Sequence, residues 1–375
     1  MTSLPLPASD GPAVLIDPDR LLAAIPGLLG FIPERSLVLL AFEEPATLIA
    51  SMRQDLGFTD TGRPDTAMRA QLRELGEIVA GFGAAGVVAV VVDDRFDRGD
   101  AAAELVRYGA VFRAVEGRFG EAGGVCAGFV IGELSAGAEW FTAWEPYRRA
   151  GRHHPPAPLR GPIAASGRLS DPLLSPVALE RAVYGGRPVL SRRSDLIALL
   201  DPRPHCDDRR CVPVVPVLPP GPPGEDDAQR VRLVLEAVGR GADASMSCGR
   251  VNRLAEALCS VHTRDVLLAL ALTDLRDRAE HLWLRLARSL RGRPGAAAAT
   301  LLGHSHYLAG EGAFASIAIE RALDLDPEYH LAQLLDSALI HGLRPAGLGD
   351  VVDYSFDLAG ALGLTLPPRT RRPAG

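Results

Sequence analysis

Ahead of a proline-rich stretch at 211–227, short β-branched and aliphatic runs alternate with segments whose apolar positions recur every three or four residues. The runs "SLVLLAF" (36–42) and "TLIASMRQDL" (47–56) predict strands joined by the turn "EEPA". In "DTAMRAQLRELGEIVAGF" (65–82), Met68, Leu72, Leu75, Ile78 and Val79 fall on one helical stripe, and Asp65 is placed to cap it. "GVVAVVVDD" (86–94) is unbroken apolar sequence, the type buried on both faces of a sheet. A helix across "DRGDAAAELVRYGAVFRAVEGRF" and a strand in "GGVCAGFVIGE" continue the alternation. The pattern predicts an α/β domain with a largely parallel or mixed sheet.

After the proline-rich stretch the period is helical almost throughout. "EDDAQRVRLVLEAVGR", "HTRDVLLALALTDL", "AEHLWLRLARSLRG", "GAAAATLLGHSHYLAG", "GAFASIAIERALDLD" and "EYHLAQLLDSALIHG" are divided by Gly, Pro or Asp, as in a bundle of packed antiparallel helices. Proline at this density continues neither a helix nor a central strand. The expected organisation is therefore an α/β domain at 1–205, a Pro-rich linker at 206–224, a helical domain at 225–345 and an irregular, disordered tail at 346–375.

Composition narrows the chemistry. The chain has no lysine, so all 40 basic residues are arginine. Arginine stays protonated and forms no Schiff base, which removes pyridoxal-phosphate chemistry, a Walker-A lysine and a kinase-type lysine. Codon use in a GC-rich genome accounts for the bias. A net charge of -6 argues against a nucleic-acid partner. "MTSLPLPASD" has neither a basic nor an apolar signal-peptide region. "LLAAIPGLLGFI", interrupted by Pro26, and "GVVAVVV" are too short to span a bilayer. Together with five scattered cysteines, these features predict a cytoplasmic protein with no membrane partner.

"AGFGAAG" holds a G-x-G-x-x-G at Gly81, Gly83 and Gly86. A dinucleotide fold needs strand, glycines, then a helix N-terminus facing the pyrophosphate. Here the expected order is helix, glycines, strand, so the glycines read as a helix C-cap and no nucleotide cofactor is expected. The strand ends carry Arg53, Asp55, Asp93, Asp94 and Glu133, where open α/β sheets bind ligands. Gathered carboxylates there would suit a metal, a polarised water or ribose hydroxyls, whereas dispersed ones would cap helices or stay solvated. No catalytic residue is assigned. "PHCDDRRC" supplies His205, Cys206 and Cys211, but a closed zinc site needs a second pair from Cys248, Cys259 or His262 across the proline-rich stretch. No metal site is therefore expected. His304 and His306 lie about 200° apart on a helix and do not chelate one ion.

One constellation is more specific. Ala299-x2-Leu302-Gly303-x2-His306, then Ala315-x3-Ile319, Ala322 and Pro327, follow the tetratricopeptide pattern without its tryptophan and tyrosine. They predict one tetratricopeptide-like helix pair within the bundle. A protein partner would engage helices 296–341.

The blocks "LLAAIPGLLGFIPERSLVLLAF", "RQDL" (53–56), "SPVALERAVYGGRPVLSRRSDLIALL" and "LAGEGAFASIAIERALDLDPEYHLAQLLDSAL" resemble the actinobacterial domain-of-unknown-function family 4192 across roughly 15–343. The resemblance implies a cytoplasmic actinobacterial protein and brings no activity. The functional expectation is a non-catalytic or regulatory protein with a helical protein-interaction module. The alternative is an enzyme or small-ligand sensor using the strand-end carboxylates.

Overall fold

The computed structural model describes residues 17–43, 47–145, 163–183, 186–206, 221–241 and 246–374. The chain divides into two compact units, residues 2–193 and 194–375. The first contains α1 (Pro18–Leu29), β1 (Ser36–Glu43), β2 (Thr47–Asp55), α2 (Thr66–Gly81), β3 (Gly86–Val92), α3 (Ala101–Arg118), β4 (Val125–Ile131), β5 (Glu139–Trp144), β6 (Ser166–Arg168) and α4 (Pro176–Val183). The short helix α5 (Arg193–Ala198) begins at the division.

The six strands form one mixed sheet in the order β2-β1-β3-β4-β5-β6. β3 and β4 run parallel, and the other neighbouring pairs are antiparallel. Connections explain this arrangement. A parallel pair needs a long crossover, which α3 supplies between β3 and β4, whereas β1 and β2 are separated by residues 44–46 alone. Those residues, most of the expected "EEPA" turn, lie outside the described part of the chain. All of β3 and β4, and β1 up to Phe42, are buried, so the centre of the sheet is covered on both faces. α3 packs against β3, β4 and β5 and buries Tyr108, Val111, Phe112 and Val115, a stripe at helical spacing.

The α2-to-β3 turn has the expected order of helix, glycines and strand. Asp65 caps α2 by accepting from the Met68 N–H at 2.8 Å. The helix ends at Gly81, and Gly83 takes φ +71°, its N–H reaching the Ala80 carbonyl at 3.1 Å. β3 starts at Gly86, so the order is helix, glycines, strand.

The second unit holds α6 (Glu225–Gly239), α7 (Cys248–Cys259), α8 (Val261–Leu267), α9 (Arg276–Ser289), α10 (Gly292–Leu308), α11 (Gly312–Leu325), α12 (His330–Ile340) and α13 (Gly349–Ala361). α10 is buried at every residue from Pro294 to Leu308 and packs against α7, α9 and α11. Its alanines and glycines let these neighbours approach. A Cβ placed on Gly303 would lie 2.7 Å from Ile319 Cγ1 and 3.3 Å from the Ala315 carbonyl oxygen, so glycine there permits the α10–α11 contact. Gly295 approaches Leu325 at the opposite end of the pair, which makes the two helices antiparallel.

The C-terminus corrects the sequence expectation. Residues 346–374 are not an irregular tail: α13 forms within them and the chain after it packs back. Leu358, Ala359 and Leu366 share a buried cluster with Val231, Val266 and Ala269. The Thr370 N–H donates to the Leu272 carbonyl at 2.9 Å, and Arg371 pairs with Asp277 at 2.9 Å. Val352, Ser355, Leu358 and Ala359 are three or four residues apart, a helical stripe masked in the sequence by intervening acids and glycines. Most of the proposed linker, residues 207–220, lies outside the described part of the chain.

Candidate functional site

Strand register builds the site. Ser36 stands opposite Asp55 on one side and Val92 on the other, and Ile131 pairs with both Val92 and Trp140. The carboxyl ends of β2, β3 and β4 therefore share one edge with the amino ends of β1 and β5. Arg53, Asp55, Asp93, Asp94 and Glu133 all belong to this edge. They do not, however, form one cluster of free carboxylates.

Arginines occupy them. Asp93 is fully buried and accepts from Arg95 through Nε at 2.7 Å and Nη2 at 2.8 Å, from the Tyr108 hydroxyl at 2.8 Å and from the Arg95 N–H at 3.2 Å. Burial pushes its pKa up, but the bonds from Arg95 and Tyr108 outweigh burial and hold it below the ordinary carboxylate value. Burial, followed by the bond to Asp93, raises the Tyr108 phenol above its ordinary value. Asp94 is exposed and forms a two-pronged pair with Arg35, at 2.7 and 3.0 Å, which lowers its pKa. Arg53 is nearly buried; it donates to Ser36 Oγ at 2.8 Å and pairs with Asp55 at 2.5 Å. Ser36 passes its own hydroxyl to the Glu34 carbonyl at 2.6 Å. Glu133 is exposed beyond β4, with no ion-pair partner among the described residues.

Arg35, Ser36, Arg95 and Tyr108 complete the edge and were not among the residues anticipated from sequence. The hairpin of β1 and β2 carried the signal for the first two, since an antiparallel β1 must begin where β2 ends. Arg35 has φ +44°, in the left-handed region that non-glycine residues avoid, while its carbonyl accepts the Leu56 N–H at 2.9 Å. A carboxylate held by a guanidinium and kept ionised is a poor proton acceptor. Asp93 and Asp94 therefore serve to fix arginines, and Asp55 pairs with Arg53.

Both units show large apolar side chains to solvent, the first at Val106, Leu173, Leu174, Leu179 and Val183. Leu334, Ile340, Leu343, Val351 and Tyr354 are large apolar side chains left exposed on or between α12 and α13. Within the described residues, no helix is long and apolar enough to cross a membrane.

Fold and edge define a two-unit protein, a mixed-sheet α/β unit followed by an all-helical one. The family model described as "Domain of unknown function (DUF4192)" matches residues 18–346, and the chain belongs to that family. No curated protein and no solved structure matches it.

Proposed function

We propose that this chain is a cytoplasmic, actinobacterial protein of non-catalytic or regulatory type, whose helical unit binds a protein partner. The observation that carries this reading is the five large apolar side chains left exposed between 334 and 354. Single exposed leucines are ordinary, but several within twenty-one residues of chain favour an interaction surface. The tight α10–α11 pair, on which α12 packs, supplies a rigid support for Leu334 and Ile340. The alternative, an enzyme or sensor built on Arg53, Asp55, Asp93, Asp94 and Glu133, draws less support because arginines already pair with three of its four carboxylates. Photo-crosslinking residues installed at Ile340 and Tyr354 in the full chain, in its own cells, test the proposal. The same protein should be captured at both positions and lost when Leu334 and Leu343 are changed to Asp. Capture that survives those changes but disappears with Arg53→Ala and Asp94→Ala would favour the sheet edge instead.

A further inference from the structure

We propose that His205, Cys206 and Cys248 form a zinc site. One ligand atom from each, the imidazole nitrogen and the two sulfurs, lies within 4.8 Å of the others. A tetrahedral zinc with Zn–S bonds of about 2.3 Å sets its ligand atoms about 3.8 Å apart, so side-chain rotations of well under a residue's width close the triad around an ion. The donor set is chemically apt. Two thiolates balance the dication's charge, and a neutral imidazole with soft sulfurs favours zinc over the oxygen-seeking cations.

Local structure brings the donors together. His205 and Cys206 sit in a bend, where consecutive side chains are not forced to opposite sides as in a strand. Cys248 is the first residue of α7, behind the cap Ser247, and the unpaired N–H groups of that first turn favour an anionic ligand. All three residues are half-buried, so an ion has a route in and partial shielding from water. Cys259, at the far end of α7, and His262 are not in the group. The sequence expectation of no metal rested on the distance along the chain between "PHC" and Cys248; folding of the second unit removes that distance. Two sulfurs this close would also suit a disulfide, but a disulfide has no use for the imidazole that lies within 4.8 Å of both.

The site ties the chain before the proline-rich stretch to the start of α7. Zinc would therefore stabilise the second unit by closing that long loop. Among the described residues the group supplies three of the four ligands a tetrahedral zinc takes.

The full-length protein, purified under reducing conditions without chelator, should contain one zinc per chain by elemental analysis. Replacing zinc with Co2+ should give thiolate-to-metal charge-transfer absorption and the intense visible bands of a tetrahedral ion. His205→Ala, Cys206→Ser and Cys248→Ser should each lose the bound metal, while Cys259→Ser keeps it. Circular dichroism checks that each variant is folded. The unaltered protein gives a second, variant-free measurement: zinc should shield Cys206 and Cys248 from alkylation and leave the labelling of Cys126 and Cys259 unchanged. Chelation should lower the thermal midpoint of the natural chain and not that of Cys248→Ser. A metal-free protein with no thiolate–cobalt band overturns the proposal. So does a Cys206–Cys248 disulfide in the reduced preparation, or zinc retained by folded Cys248→Ser.

Discussion

At the scale of single residues, two buried ionisable groups differ in how they are satisfied, and the difference has measurable consequences. Asp93 has every oxygen engaged, so Asp93→Ala strands the Tyr108 hydroxyl without its acceptor while Arg95, 43% exposed, turns to water. A loss of about 2–4 kcal/mol in denaturant unfolding is expected, whereas Asp94→Asn, at an exposed pair, should leave the midpoint nearly unchanged. Because the folded pKa of Asp93 is depressed, its contribution is present above the ordinary carboxylate range and is lost as pH falls through the folded value. His304 is the opposite case. It is buried within α10, its Nε2 has no hydrogen-bond partner among the described residues, and burial pushes its pKa down to about 4. The unfolded chain takes up this proton near pH 6.5 and the folded one does not, so stability declines as pH falls from about 6.5 to about 4, by about 3 kcal/mol in all. His304→Leu should flatten that part of the stability–pH curve and cost little at pH 8. A curve of unchanged slope would mean that water or a shifted neighbour serves the imidazole.

At the scale of elements, the α10–α11 crossing and the C-terminal helix make the sharpest demands. Gly303 already has Ile319 where a Cβ would stand, and Ala315 is fully buried beneath it. Ala315→Leu should therefore cost about 1–3 kcal/mol through overpacking, and should weaken partner capture in proportion if the helical unit is the binding element. Gly303→Ala gains helix propensity but pushes against Ile319, so a smaller net loss is expected. Leu358→Ala, in the cluster with Val231 and Val266, should cost about 2–4 kcal/mol; a change under about 0.5 would mean that α13 is dispensable. These cases also mark what the sequence made legible. Strands 36–43, 47–55, 86–92 and 125–131 and helix 66–81 were readable because each has one clean period and a cap or turn at its ends. The Gly303–Ala315 crossing was readable because small residues at fixed spacing have few other uses. α13 was not, because its apolar residues are diluted by Asp350, Asp353 and Asp357 and preceded by Gly and Pro. The edge cluster was half legible: residue types at strand ends are visible in sequence, but which arginine grips which acid depends on register.

For the whole molecule, the division into two compact units predicts two cooperative unfolding units. The first unit's core is the two-sided sheet around Val87–Val92 and Phe129–Ile131, covered by α3; the second's is α10 with the helices around it. Each is large enough to fold about its own centre, and residues on either side of a division with separate cores generally unfold as separate cooperative units. Differential scanning calorimetry of the full chain should then resolve two transitions. Asp93→Ala should lower one of them and Leu358→Ala the other, with the double variant showing both shifts unchanged, because substitutions in units that unfold separately add. The chelator of the zinc experiment should move only the transition that Leu358→Ala moves, since His205, Cys206 and Cys248 all belong to residues 194–375. A single transition that both substitutions lower together would mean that the two units fold as one, and the assignment of partner binding to the helical unit alone would then lose its physical basis.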